Sequence, residues 1–253
     1  MSKHTLTTLA FLLFATVVAL VAHRVAVSIW WAVVPLPAWM AVVAVNSSRI
    51  SSSYHVRAFC GNPKIGENIV ALTFDDGPTT VTSEVLDILH AHHAEATFFC
   101  IGKRVVAHPE LVRRLVAEGH TIGNHTFTHA HNFDFYRKPQ VVAELEQTDA
   151  AITNIIGKRP VYFRPPNGVT NPSIRKALAT TGHRVIGWNI RSMDGVNKDE
   201  AKVLANIKKH LRPGGIILMH DTSAHSVRVL EQLMVYLQER NYRVVPLEYL
   251  LNS

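Results

Sequence analysis

The chain has 253 residues, enough for one sizeable domain with an appendage and too few for two full catalytic domains. Its formal charge is +7 at pH 7, but the Lys and Arg residues are scattered and no recognition motif accompanies them, so no nucleic-acid partner is expected. Anionic lipid headgroups or an acidic cell-wall polymer account for that charge at least as well. Cys60 and Cys100 form neither a metal-ligand spacing nor a disulfide framework, and Cys100 reads as a small buried hydrophobe.

The apolar residues are unevenly spread. From Thr5 to Val45 there is no acidic side chain, and only His23 and Arg24 can carry charge. Thr5–Ala22 is about long enough to cross a bilayer, as is Val25–Val45, although Pro35 and Pro37 interrupt the second stretch. Residues 1–45 are therefore expected to anchor the chain in membrane lipid through one or two spans, with Trp30, Trp31 and Trp39 at the interface; a cleavable signal peptide is the competing reading. Arg24 would be costly at the bilayer centre and favours either a break at His23-Arg24 or one shorter span with an interfacial continuation. One span with Lys3 inside places the soluble domain outside the cytoplasmic membrane, the favoured localisation. Two spans return it to the cytoplasmic face. Residues 46–67 read as a polar linker and 68–253 as the enzymatic domain.

From Ile69 onward, short apolar runs alternate with helical patterns. Strands are predicted at Ile69–Phe74, Ala96–Ile101, Thr121–Asn124, Val161–Arg164, Arg184–Trp188, Gly215–His220 and Arg243–Val245. Helices are predicted at Ser83–His93, Pro109–Glu118, Pro139–Ile156, Pro172–Thr181, Lys198–Leu211 and Ala224–Arg240, several with Pro at the start and Gly beyond the end. Such alternation implies a parallel sheet, open or closed. Because Asp75, Asp76, His125, Arg164, Asp194 and His220 all fall at or just after strand ends, an α/β barrel that gathers them on one rim is favoured.

The chemistry starts at Thr73-Phe74-Asp75-Asp76-Gly77-Pro78, where a buried strand delivers two adjacent carboxylates to a sharp turn. Two ionised carboxylates are not buried cheaply, so they must meet water, a metal or a cation. His125 and His129 are four residues apart, a spacing that a helical turn or a loop can converge on a metal. With fifteen histidines in the chain the pair alone is weak, and His131 could be mistaken for a ligand. Adding Asp76 gives two nitrogens and one carboxylate oxygen, which leaves a position open for water on a catalytic divalent cation. Zn2+ is the default, with cobalt, nickel or iron compatible. Asp75, on the opposite side of the strand, could take a proton from that water. His220, closing the apolar run Gly215–Met219, could give a proton to a leaving nitrogen, with Asp194 holding it protonated. Arg164 could orient Asp75.

These four motifs, TFDDGP at Thr73–Pro78, HTFTH at His125–His129, RPPNG at Arg164–Gly168 and LMHD at Leu218–Asp221, resemble in order and spacing those of the polysaccharide deacetylases, carbohydrate esterase family four, also called the NodB homology domain. The resemblance covers roughly Asn68–Leu250. It implies a distorted (β/α) barrel of seven or eight strands and metal-dependent removal of acetyl groups from sugars, the substrate being an N-acetylated cell-wall or exported glycan or a lipid-linked sugar. By the same resemblance Asp75 is the base, Asp76, His125 and His129 the metal ligands, Arg164 the support of the base, His220 the acid, and Leu218 part of the acetyl pocket. Pro165, Asn167 and Trp188 are counted as further substrate contacts. Two positions depart from the family: Asn167 stands where Tyr is frequent, and Arg191–Gly195 keeps only Asp194 of the usual Asp-x-x-Asp-Trp. An amidase acting on a non-sugar C–N bond and a catalytically silent carbohydrate-binding module are the alternatives.

Overall fold

The computed structural model describes residues 2–25 and 28–253. Its first part is helical, with α1 (Lys3–Arg24), a 3-10 turn at Ile29–Ala32 and α2 (Leu36–Ser47). There follow β1 (Ala58–Phe59), β2 (Ile69–Asp75), α3 (Thr82–Ala91), β3 (Thr97–Cys100), α4 (Gly102–Ala107), α5 (Pro109–Ala117) and β4 (Thr121–Asn124). Then come α6 (Lys138–Ile156), β5 (Tyr162–Phe163), α7 (Pro172–Thr181), β6 (Arg184–Ile186), β7 (Ile190–Arg191), α8 (Glu200–His210), β8 (Gly215–His220), α9 (Ala224–Glu239), β9 (Arg243–Val244) and α10 (Leu247–Asn252).

The strands form one curled sheet in the order β1-β6-β5-β4-β3-β2-β8-β7, with β9 beside the first residues of β2. Every pairing between named strands is parallel. The curl makes a half-barrel wrapped by helices, as the alternating pattern implied. Beyond the seven expected strands it has β1 and β7, two residues each.

All seven residues of β2 are buried, because both faces of a parallel sheet are covered. Val70, Leu72 and Phe74 point outward into a core shared with Leu86 and Leu89 of α3 and Leu230 and Leu233 of α9. Ile69 and Ala71 point inward and meet Phe99, Tyr162, Ile216 and, from α10, Leu247 and Leu250. Each of the Val, Leu, Ile and Phe side chains contributes about 1.5–3 kcal/mol by leaving water. Since Ile69 begins β2, α10 closes the end of the half-barrel opposite Asp75.

Local signals hold where they were strong. In α7 the Asn171 side chain accepts the Ile174 N–H at 2.9 Å, Pro172 opens the helix and Gly182 ends it at φ 76°. The expected linker differs: within residues 46–67, Ile50 and Tyr54 are buried and β1 pairs with β6, so this stretch forms the sheet edge. Of the two apolar stretches, α1 rises about 33 Å and is long and apolar enough to cross a membrane, whereas α2, begun at Pro35, has 12 residues and rises about 18 Å. Helix α1 ends at Arg24.

Candidate active site

Asp75 is the last residue of β2 and shares the inward face with Thr73. Strict strand alternation would send Asp76 to the other face, but Asp76 adopts φ 75°, which turns its carboxylate back beside Asp75. The left-handed backbone therefore replaces the opposed arrangement expected from alternation. Arg104 of α4 holds that turn by donating to the Asp76 carbonyl at 2.5 Å. Gly77 is required next: a Cβ there would lie 2.0 Å from Asp221 Oδ2. Asp221 is itself fully buried, accepts from Thr82 Oγ1 at 2.5 Å, and burial pushes its carboxyl up to about 7.

The two histidines converge through a loop, with Thr126 and His129 at positive φ. His125 Nδ1 lies 2.7 Å from the Arg164 carbonyl, which can only accept, so Nδ1 carries the proton and Nε2 presents its lone pair. His125 Nε2 is 3.5 Å and His129 Nε2 3.4 Å from Asp76 Oδ1. Asp76 Oδ1 is buried, and among the described residues no donor reaches it. Burial would raise the Asp76 pKa, but the neighbouring imidazole of His125, with those of His129 and His220, holds it far below the usual carboxylate range. An orphaned anionic oxygen facing the Nε2 atoms of two imidazoles fits a divalent cation, and the ligand atoms of the three lie within 4.8 Å of one another. His131 is exposed and outside this group, as are His90 and His93 at the wet end of α3.

Arg164 follows β5 and is fully buried. It donates to Asp75 Oδ1 at 2.7 Å, to Thr73 Oγ1 at 2.9 Å and to the carbonyls of Ile186 and Gly187 at 3.2 and 2.9 Å. Its guanidinium lies 4.1 Å from the centre of the Phe99 ring. Four acceptors and an aromatic face fix the plane of the guanidinium, and with it the position of Asp75.

On the adjacent strand His220 is the register partner of Asp75. Asp194 Oδ1 lies 2.7 Å from His220 Nδ1, and Ser192 donates to the same carboxylate at 2.6 Å. Burial lowers the His220 pKa, but the Asp194 hydrogen bond and charge, with Asp75 and Asp76, raise it to about 9. Nε2 is left to point a proton outward. Leu218, buried, shares the face of His220 on β8. Pro165 is buried, Asn167 is exposed at φ 55°, and half-buried Trp188 packs against Gly168. Trp188, Arg191 and Met193 border a groove of about 570 Å³, whose wall also includes Ser51.

Glu144 on α6 carries a role that spacing concealed. Its Oε2 accepts the N–H groups of Phe127 and Thr128, both at 2.8 Å, and its Oε1 accepts the Thr128 hydroxyl at 2.8 Å. Behind it, Asn124 accepts the Thr126 N–H at 2.9 Å and donates to Asp149 at 2.8 Å. Together these groups clamp the histidine loop. An acidic residue on an amphipathic helix reads as solvated, so only the buried position of Glu144 in the fold reveals the clamp.

The profile described as polysaccharide deacetylase matches residues 62–186. A peptidoglycan-N-acetylglucosamine deacetylase from Bacillus cereus is 38% identical over 185 residues, 69% of this chain and 67% of that protein. A chitooligosaccharide deacetylase from Bradyrhizobium is 34% identical over 201 residues, 73% of this chain and 91% of that protein. The solved structure of the peptidoglycan deacetylase PdaC from Bacillus subtilis superposes with a TM-score of 0.70 at 28% identity, covering 74% of this chain and 91% of that one.

Proposed function

Because the chain belongs to the polysaccharide deacetylase family, we propose that it is a membrane-anchored, metal-dependent hydrolase that removes N-acetyl groups from the amino sugars of a glycan. The observation that carries this reading is the orphaned Asp76 Oδ1 facing the Nε2 atoms of His125 and His129, with Asp75 and His220 side by side on neighbouring strands.

Asp76, His125 and His129 would hold the cation, and Zn2+ suits one carboxylate and two imidazoles. When bound, it supplies Lewis-acid polarisation of the acetyl carbonyl and a water acidified toward neutral pH. Asp75, oriented by Arg164, accepts a proton from the attacking water at its free Oδ2. His220, kept protonated by Asp194, donates from Nε2 to the departing amine, so that acetate and a free amino sugar result. Leu218 would give the methyl group an apolar wall, and Pro165, Asn167 and Trp188 would contact neighbouring sugar atoms. The enzymatic unit takes in β1 as well as residues 68–253, with residues 1–45 as the anchor.

The test is acetate release by the full chain in detergent from N-acetylglucosamine oligomers and from peptidoglycan, as purified, after chelation and after Zn2+ readdition. Release that chelation abolishes and Zn2+ restores is expected. No release from either glycan by folded, metal-loaded protein would reject the reading.

A further inference from the structure

The Lys3 end of α1 is clamped onto the enzymatic domain. The His4 N–H donates to the Tyr54 carbonyl at 3.1 Å, Lys3 Nζ donates to the Ser52 carbonyl at 2.7 Å, and the Thr7 and Tyr54 hydroxyls are hydrogen-bonded. The His4 ring packs on Tyr54 and His55, with centroids 5.3 and 4.6 Å apart. The end of α2 is clamped at the same place. Ser47 accepts the Thr170 N–H on its carbonyl at 2.9 Å, and its hydroxyl lies 2.8 Å from His55 Nε2. His55 thus touches both feet of the helical segment.

Between the feet the two legs pack on each other. Phe11 stacks on Trp39 at 5.3 Å, and Trp31 shares an apolar cleft with Val17, Val18, Val21 and Ala22. Their outer surfaces expose Leu13, Phe14, Leu20, Val34 and Met40. An apolar surface that continuous on a protein surface requires a cover. The occupant is a lipid bilayer, since α1 rises about 33 Å against a hydrocarbon thickness of about 30 Å. The break between the 3-10 turn and α2 keeps its backbone satisfied internally, with Leu36 N–H on the Val33 carbonyl at 2.9 Å and Trp39 N–H on Pro35 at 3.0 Å, as a lipid environment demands. Arg24, Trp30 and Trp31 belong to the end remote from the feet, where a charge and two indoles meet the far headgroups.

We propose that α1 and α2 insert as the two legs of a hairpin with both feet on the enzymatic domain, so that the Lys3 end and that domain lie on the same side of the membrane. A single-span anchor places them on opposite sides and cannot keep the His4–Tyr54 and Lys3–Ser52 bonds.

The test uses the full chain in bacterial spheroplasts. Single cysteines are placed by Ser2→Cys or Ser253→Cys in a Cys60→Ser, Cys100→Ala background and reacted with a membrane-impermeant maleimide before and after opening the cells. The same pattern at both positions, reactive in both or protected in both, is expected. Opposite patterns overturn the proposal, as does recovery of the chain in the soluble fraction. Because replacing buried Cys100 can disturb folding, a short epitope tag at each end, probed by protease in intact and opened spheroplasts, asks the same question with both native cysteines in place. Opposite protection of the two tags, or cleavage that removes the leading tag, overturns it equally.

Discussion

Asp194 grips His220 twice: Oδ1 lies 2.7 Å from the ring Nδ1, and Oδ2 accepts the backbone N–H of the same histidine at 2.9 Å. One carboxylate thus sets both the ring orientation and the protonation of the proposed acid. With the His220 pKa raised to about 9, kcat/KM is expected to stay level through neutral pH on its acid-requiring side and to fall as pH rises through about 9. Asp194→Asn removes the charge and moves that fall toward or below the ordinary histidine value of about 6.5. A pH–rate profile of the two proteins checks this, and an unchanged alkaline limb would assign the donor elsewhere. The same pairing contributes stability that is complete below about pH 6.5 and is lost as pH rises through about 9.

His220→Ala is expected to slow acetate release by about 10²- to 10⁴-fold, the range for a positioned general acid. A loss under about 10-fold would mean that water protonates the amine well enough alone.

Asp75→Asn and His125→Ala should separate proton transfer from metal binding. The first keeps the three proposed ligands and should lose turnover by about 10²-fold or more with metal content unchanged. The second removes a ligand and should lose metal, measured by elemental analysis after dialysis. Wild-type rates in Asp75→Asn would show that the base is another group.

Glu144→Gln keeps the shape of the clamp on the histidine loop but removes its charge. Outer groups that orient ligands change metal affinity by about 10–100-fold, so chelator competition is expected to show weaker binding of that order. Unchanged affinity would leave Glu144 a purely structural anchor.

Arg164→Met should be costly for stability as well as turnover. It leaves the Asp75 carboxylate buried without its partner, a loss of about 3–5 kcal/mol for a broken buried pair. Thermal unfolding in detergent, followed together with acetate release, measures both.

Much of the proposed site is legible in the sequence because its groups arrive in short contiguous blocks. An apolar strand that ends in Asp75-Asp76, the His125–His129 spacing and the run into His220 each carry chemistry that a hydrophobic pattern alone would not produce. The curled parallel sheet follows from the same alternation. What stays hidden is set by tertiary geometry. The positive φ of Asp76 brings two neighbouring carboxylates to one side against strand periodicity. Glu144 and Arg104 act across the fold on backbone groups, which leaves no spacing to read. Polar neighbours hide the short strands β1 and β7, and around β1 they disguise an edge strand as a linker.

That edge strand reaches further than its length implies. The Gly187 N–H donates to the Phe59 carbonyl of β1 at 2.8 Å, the Gly187 carbonyl accepts from Arg164, and Arg164 holds Asp75. A fragment trimmed to begin at Asn68 would keep every proposed catalytic side chain yet cut the first link of this relay, freeing the Gly187 peptide and baring the edge of β6. The smallest piece able to hold its base in register begins upstream of Ala58, and poor activity in a shorter one would report a slackened guanidinium, with the chemistry itself intact.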